Sequence, residues 1–175
     1  MSAHMPGFFE WLNTLGAASP TVGTRLEEAV TAALPEADDD TRRLVVAVAG
    51  LLATVAYADR DYAPVEEARI VQELRRIQGL DENGVAAIRT VLREHIRIIA
   101  TVEAPIYARE LRTLADQDFR REVLDALVDI AAADDEITVA ETNVLRTTAT
   151  ALGLSQGDYN TSQARHRDKL RILKR

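Results

Sequence analysis

An all-α fold of seven or eight helices is what this sequence predicts, and three observations predict it. Apolar residues recur at helical spacing between residues that start and stop helices. No segment alternates with period two for long enough to make a strand. One helix–loop–helix unit occurs twice, 75 residues apart. The length of 175 residues suits one domain.

The first candidate helix carries Phe8, Trp11, Leu12 and Leu15 at i, i+3, i+4 and i+7, one apolar face. Its only charge is Glu10, whereas a membrane-surface helix shows Lys or Arg on its polar face. An arm folded onto the body is the favoured reading, and seating on lipid or on a partner is the alternative. Ser19-Pro20 to Thr24 reads as a loop, with Thr24 capping a helix that Pro35 ends. Asp38-Asp39-Asp40 complements the dipole of the next helix start. That helix runs to about Ala58 and is uncharged over the fifteen residues Leu44–Ala58. A membrane span needs about 20, so a buried central helix is expected. Gly50 inside it costs about 1 kcal/mol relative to Ala, which predicts close approach by another helix.

A five-residue loop leads to a helix from Pro64 to about Gln78, closed by Gly79 as a left-handed C-cap. Asp81 caps a helix to about Ala100, and Pro105 opens another. Asp118 caps the next, through about Ala133. Helices over Val139–Leu152 and from about Gln156 complete the chain.

Setting residues 48–66 beside 123–141 aligns six identities in nineteen positions: Val48/Val123, Leu52/Leu127, Ala56/Ala131, Ala58/Ala133, Asp59/Asp134 and Glu66/Glu141. Each copy reads helix, acidic loop, helix, glycine C-cap, leucine and a new N-cap. Two such pairs pack face to face into one core, with Val48, Leu52, Val55, Val123, Leu127 and Ile130 expected at their contact. Residues 1–40 then form an arm and the first helices, 41–155 the repeated domain (copies at 41–80 and 116–155), and 156–175 a basic C-terminal helix of the same domain.

The acidic loops are the candidate site. Asp134, Asp135, Glu136 and Glu141 surround the second turn, and Asp59, Asp61 and Glu66 the first. Calcium takes six to eight oxygens from carboxylates and loop carbonyls, and these residues supply them if the two turns face each other. Helix capping is the competing explanation for both glutamates. Thr138 and Glu141 form a capping box, and Pro64 at N1 again precedes Glu66 at N3.

Ala-Asp, six residues, then Glu, between apolar helices closed by Leu-Gly-Leu-Ser, resembles the TerB-like superfamily. That group includes tellurite-resistance TerB and the N-terminal domain of the co-chaperone DjlA. Val128–Asp134 through Glu141, then Ala151-Leu152-Gly153-Leu154-Ser155, carry the likeness, which covers roughly residues 41–155. The resemblance implies an all-helical fold, a non-enzymatic role and an acidic patch proposed to bind a divalent cation. Members commonly have Gly directly after the Asp, where this chain has Arg60 and Asp135. Arg60 brings a positive charge into the first loop, so the second is the better cation candidate. No J-domain follows, so a complete co-chaperone is not expected.

The net charge of −7 divides unevenly. Arg165, Arg167, Lys169, Arg171, Lys174 and Arg175 stand against Asp168 alone in the tail, giving +5 there and −12 over the rest. A nucleic-acid binder needs a broad basic face, so no nucleic acid is expected as partner. A helical tail turns Leu170 and Leu173 to the body and its cations to water. Contact with anionic lipid and docking on a neighbour's acidic body, as a homodimer, are the other readings. With no cysteine, disulfides, thiolate metal sites and cysteine catalysis are excluded. His4, His95 and His166 form no His-Glu-x-x-His pair, and the chain has no nucleophile elbow, P-loop or dinucleotide fingerprint. No catalytic or cofactor-binding residue is therefore assigned. No basic n-region precedes Arg25, so a cytoplasmic location is expected, with inner-membrane contact at most peripheral. The expected function is an interaction module for other proteins in bacterial stress or tellurite resistance, responsive to a divalent cation, calcium first. An ion-free scaffold or dimerisation domain is the second reading, and a carboxylate metalloenzyme the third.

Overall fold

The computed structural model describes residues 22–134 and 136–170. The helices are α1 (Val22–Ala33), α2 (Asp39–Ala56), α3 (Pro64–Leu74), α4 (Glu82–Ile98), α5 (Ala104–Leu114), α6 (Gln117–Ala131), α7 (Val139–Ala151) and α8 (Gln156–Ala164). A π-helical turn, Ile99–Glu103, joins α4 to α5, and a 3₁₀ turn, Arg167–Lys169, follows α8. Among the described residues the only strand-like pairing is an isolated bridge between Ile137 and Leu170. The all-α expectation holds. The predicted Phe8–Leu15 helix lies outside the described residues, as do Asp135, Arg171, Leu173, Lys174 and Arg175.

Helix α2, uncharged from Leu44 onward, is the hub, packing against α1 and every helix from α3 to α7. Nearly all of Val45–Ala56 is buried. Gly50 is why α5 comes so close: a Cβ there would stand 2.4 Å from two atoms of the Tyr107 ring. The Tyr107 hydroxyl donates to Glu103 in the π turn at 2.5 Å, inside the protein. The expected contact between the copies is present, with Leu52, Val55, Val123, Leu127 and Ile130 buried. Val48 differs. It is only half-buried, on the wall of a cleft shared with Leu44, Ile77, Phe119 and Ala126.

Several ends move from their predicted places. Helix α1 reaches back to Val22, so Thr24 lies inside it. Helix α2 stops at Ala56, where Tyr57 N–H returns to Ala53. Helix α3 stops at Leu74, and Arg76 and Ile77 continue in tighter i→i−3 bonds towards Gly79 (φ +87°). No break separates α4 from α5. The π turn carries the chain through to Pro105, which sits in the first turn of α5. Asp116, not Asp118, caps α6, accepting from Phe119 N–H at 2.8 Å. Only two residues separate α5 from α6, so the first acid takes the cap and Asp118 pairs with Arg121 instead. The helix expected over 156–175 ends at Ala164.

Candidate functional site

The two acidic turns repeat one hydrogen-bond pattern at the 75-residue offset. In the first, Ala58 N–H donates to Val55 O, and Asp61 N–H to Asp59 Oδ1 at 2.9 Å. Ala63 N–H then donates to Glu66 Oε2 at 3.1 Å. In the second, Ala133 N–H donates to Ile130 O, Glu136 N–H to Asp134 Oδ1 at 3.1 Å, and Thr138 N–H to Glu141 Oε2 at 2.6 Å. Each turn is thus an aspartate-closed loop running into a capped helix, and Thr138 with Glu141 completes the capping box. Arg60 takes the left-handed backbone, φ +71°, that glycine adopts without strain.

Capping draws Glu66 and Glu141 inward until they are 7% and 4% exposed. Burial pushes the Glu66 carboxyl up to about 8; the Ala63 N–H opposes this, and Glu141, Asp59 and Asp134 add to it by like-charge repulsion. Glu141 is raised by burial against the pull of Thr138, and Asp134 and Asp59 again add to the rise. The carboxylates of each turn thus act on the buried glutamate of the other, so the two turns lie near each other. Asp61 is exposed and Glu136 half-buried, each bonded through its own turn. Among the described residues, no three His, Cys, Asp or Glu side chains stand together closely enough to hold a metal ion.

The C-terminal segment reaches this site in a way the spacing gave no hint of. Lys169 Nζ donates to the carbonyls of Ala132 and Asp134 at 2.8 and 2.9 Å, and Ile137 N–H donates to Lys169 O at 2.8 Å. Asp129 on α6 receives Arg165 at 2.8 Å, His166 Nε2 at 2.7 Å and Arg69 from α3 at 3.3 Å. Arg165 and Lys169 therefore grip the body, whereas Arg167 faces water as expected, and Leu170 is buried. Arg60 is not the sole cation at the turns, because the second turn has an ammonium on its own carbonyls. No local motif announces this cluster, since Asp129 lies 36 residues from Arg165 and 60 from Arg69.

Residues 45–164 match the family described as tellurite resistance protein TerB. This chain belongs to the TerB family. The match starts in α2 and ends at the last residue of α8, so it contains both acidic turns and all of α8. No curated protein and no solved structure matches this TerB-family chain. Among its described residues no helix is long and apolar enough to cross a membrane.

Proposed function

We propose that this TerB-family chain works by contact with partner proteins in bacterial stress or tellurite resistance, without catalysis, and that its paired acidic turns make those contacts sensitive to a divalent cation. The observation behind the reading is the pair of buried glutamates, Glu66 and Glu141, each crowded by carboxylates of both turns. A cation at the mouth of the pair relieves that repulsion. Among the described residues the turns hold no chelating group, and each turn carries a cation of its own, Arg60 in one and Lys169 on the other. Removing either charge favours an added ion.

Calorimetric titration with calcium is the test. Heat is expected to grow in Arg60→Gly and in Lys169→Met, and to shrink in Asp134→Asn. Free calcium at about 100 times its dissociation constant should stabilise the fold by about 2.7 kcal/mol, reversed by chelator. The ion-free scaffold is the second reading, favoured by the capping that already engages one oxygen of each glutamate. No heat in the parent, Arg60→Gly or Lys169→Met establishes it. Isolation of the native complex from the source bacterium identifies the partner in either case.

A further inference from the structure

An apolar stripe crosses the π-helical joint. Ile98, Val102 and Ile106 are 40%, 64% and 49% exposed, and each follows the last by four residues. In an uninterrupted α-helix, residues four apart drift steadily round the axis. The wider π turn at Ile99–Glu103 offsets that drift, so the three side chains stay in line. Val102 is the most exposed large apolar side chain among the described residues.

The chain outside the described residues emerges beside this stripe. Helix α1 packs along α4, with Ala33 at its C-terminal end against Gly84 at the start of α4. It also touches the π turn, so the two helices run antiparallel and Val22 lies at the Ile98 end. Further along α1, Glu27 shares a cleft of about 410 Å³ with Ile106 and Tyr107. Upstream stands the Phe8, Trp11, Leu12, Leu15 pattern, the i, i+3, i+4, i+7 anchor set with which a helix fills an apolar surface. Six residues, Gly16–Thr21, separate Leu15 from Val22 and reach about 20 Å when extended. A helix over Phe8–Leu15 is about 12 Å long, as is the step from Ile98 to Ile106.

We infer that Phe8–Leu15 docks as a short helix on the Ile98–Val102–Ile106 stripe of its own chain. The arm supplies the apolar cover that the joint lacks, and the exit point and linker length place it there before any partner arrives. The chain's composition makes the test clean, since it has one tryptophan, Trp11, and no cysteine. Under mild oxidation, Leu12→Cys with Val102→Cys should close an intramolecular disulfide. Leu12→Cys with Phe119→Cys should not, because Phe119 is exposed near Thr41, beside the α1–α2 connection at the other end of α1. Trp11 emission should be blue-shifted in the parent and move in Val102→Glu to the value of the urea-unfolded chain, with far-UV circular dichroism unchanged. Equal cross-linking in both pairs, or parent emission already at the unfolded value, overturns the inference. So does a disulfide that links two chains, or a blue shift that needs anionic vesicles, which would assign the arm to a second copy or to lipid.

Discussion

Arg60 holds φ +71° without being glycine. A left-handed residue bearing a Cβ costs about 1–2 kcal/mol, while glycine loosens the unfolded chain by about 0.4–1 kcal/mol. Arg60→Gly is therefore expected to stabilise the protein by between zero and about 1.6 kcal/mol, measured by urea unfolding, apart from any effect on calcium. Glu66 gives a prediction of pH dependence. Its carboxyl rises from 4.5 to about 8 on folding, so the folded state favours the protonated form. The contribution of this carboxyl to stability is then greatest below about 4.5, falls as the pH climbs towards 8, and levels beyond. Glu66→Gln keeps an oxygen for the Ala63 N–H and removes the charge. It should match the parent near pH 4.5, exceed it in stability at pH 8, and show a shallower slope between, with Glu141 acting in the same direction. An Glu66→Gln protein that loses stability at pH 8 would show that the cap needs the full carboxylate.

Elements whose partners are close in sequence were legible, and those built from distant partners were not. Thr138 and Glu141 lie three residues apart, so their capping box could be read directly, as could Asp38 and Asp81 at their helix starts. Gly50 signalled a close approach but not the identity of its neighbour, because Tyr107 arrives from α5. The π turn was invisible. Ile99–Glu103 carries apolar residues at spacings an ordinary helix end also shows, and Pro105 reads equally well as a new start. The α2–α5 junction is a place to measure. Gly50→Ala gains about 1 kcal/mol of helix propensity but sets a methyl 2.4 Å from two Tyr107 ring atoms, and such overpacking costs about 1–3 kcal/mol. Net destabilisation is expected, and Tyr107→Leu in the same chain should remove most of it. Additive effects of the two substitutions would mean that the ring moves aside freely.

The repeat organises the molecule, and its two copies meet with different surroundings. Leu127 is fully buried where α6 faces α2, so Leu127→Ala should cost about 2–5 kcal/mol in chemical denaturation. A loss of a few tenths would mean that this face collapses to fill the gap. The sequence repeat foretold this shared core and the twin turns, because both rest on residues that match between copies. It did not foretell what lies against each copy's outer side. At the offset of 75, Gly50 and Thr54 correspond to Asp125 and Asp129. Gly50 lies under Tyr107, and Thr54 is buried, bonding back to Gly50 O at 2.8 Å. The second receives Ser162, Arg165 and His166 from the end of the chain. A duplicated unit has thus been finished twice, once by a neighbouring helix and once by a tail, and the difference leaves an evolutionary imprint. Across TerB-family chains, position 50 should covary with 107, a bulkier residue at one accompanying a smaller one at the other. Positions 125 and 129 should instead exchange charge in step with 162, 165 and 166, so that ancestrally equivalent sites follow separate histories.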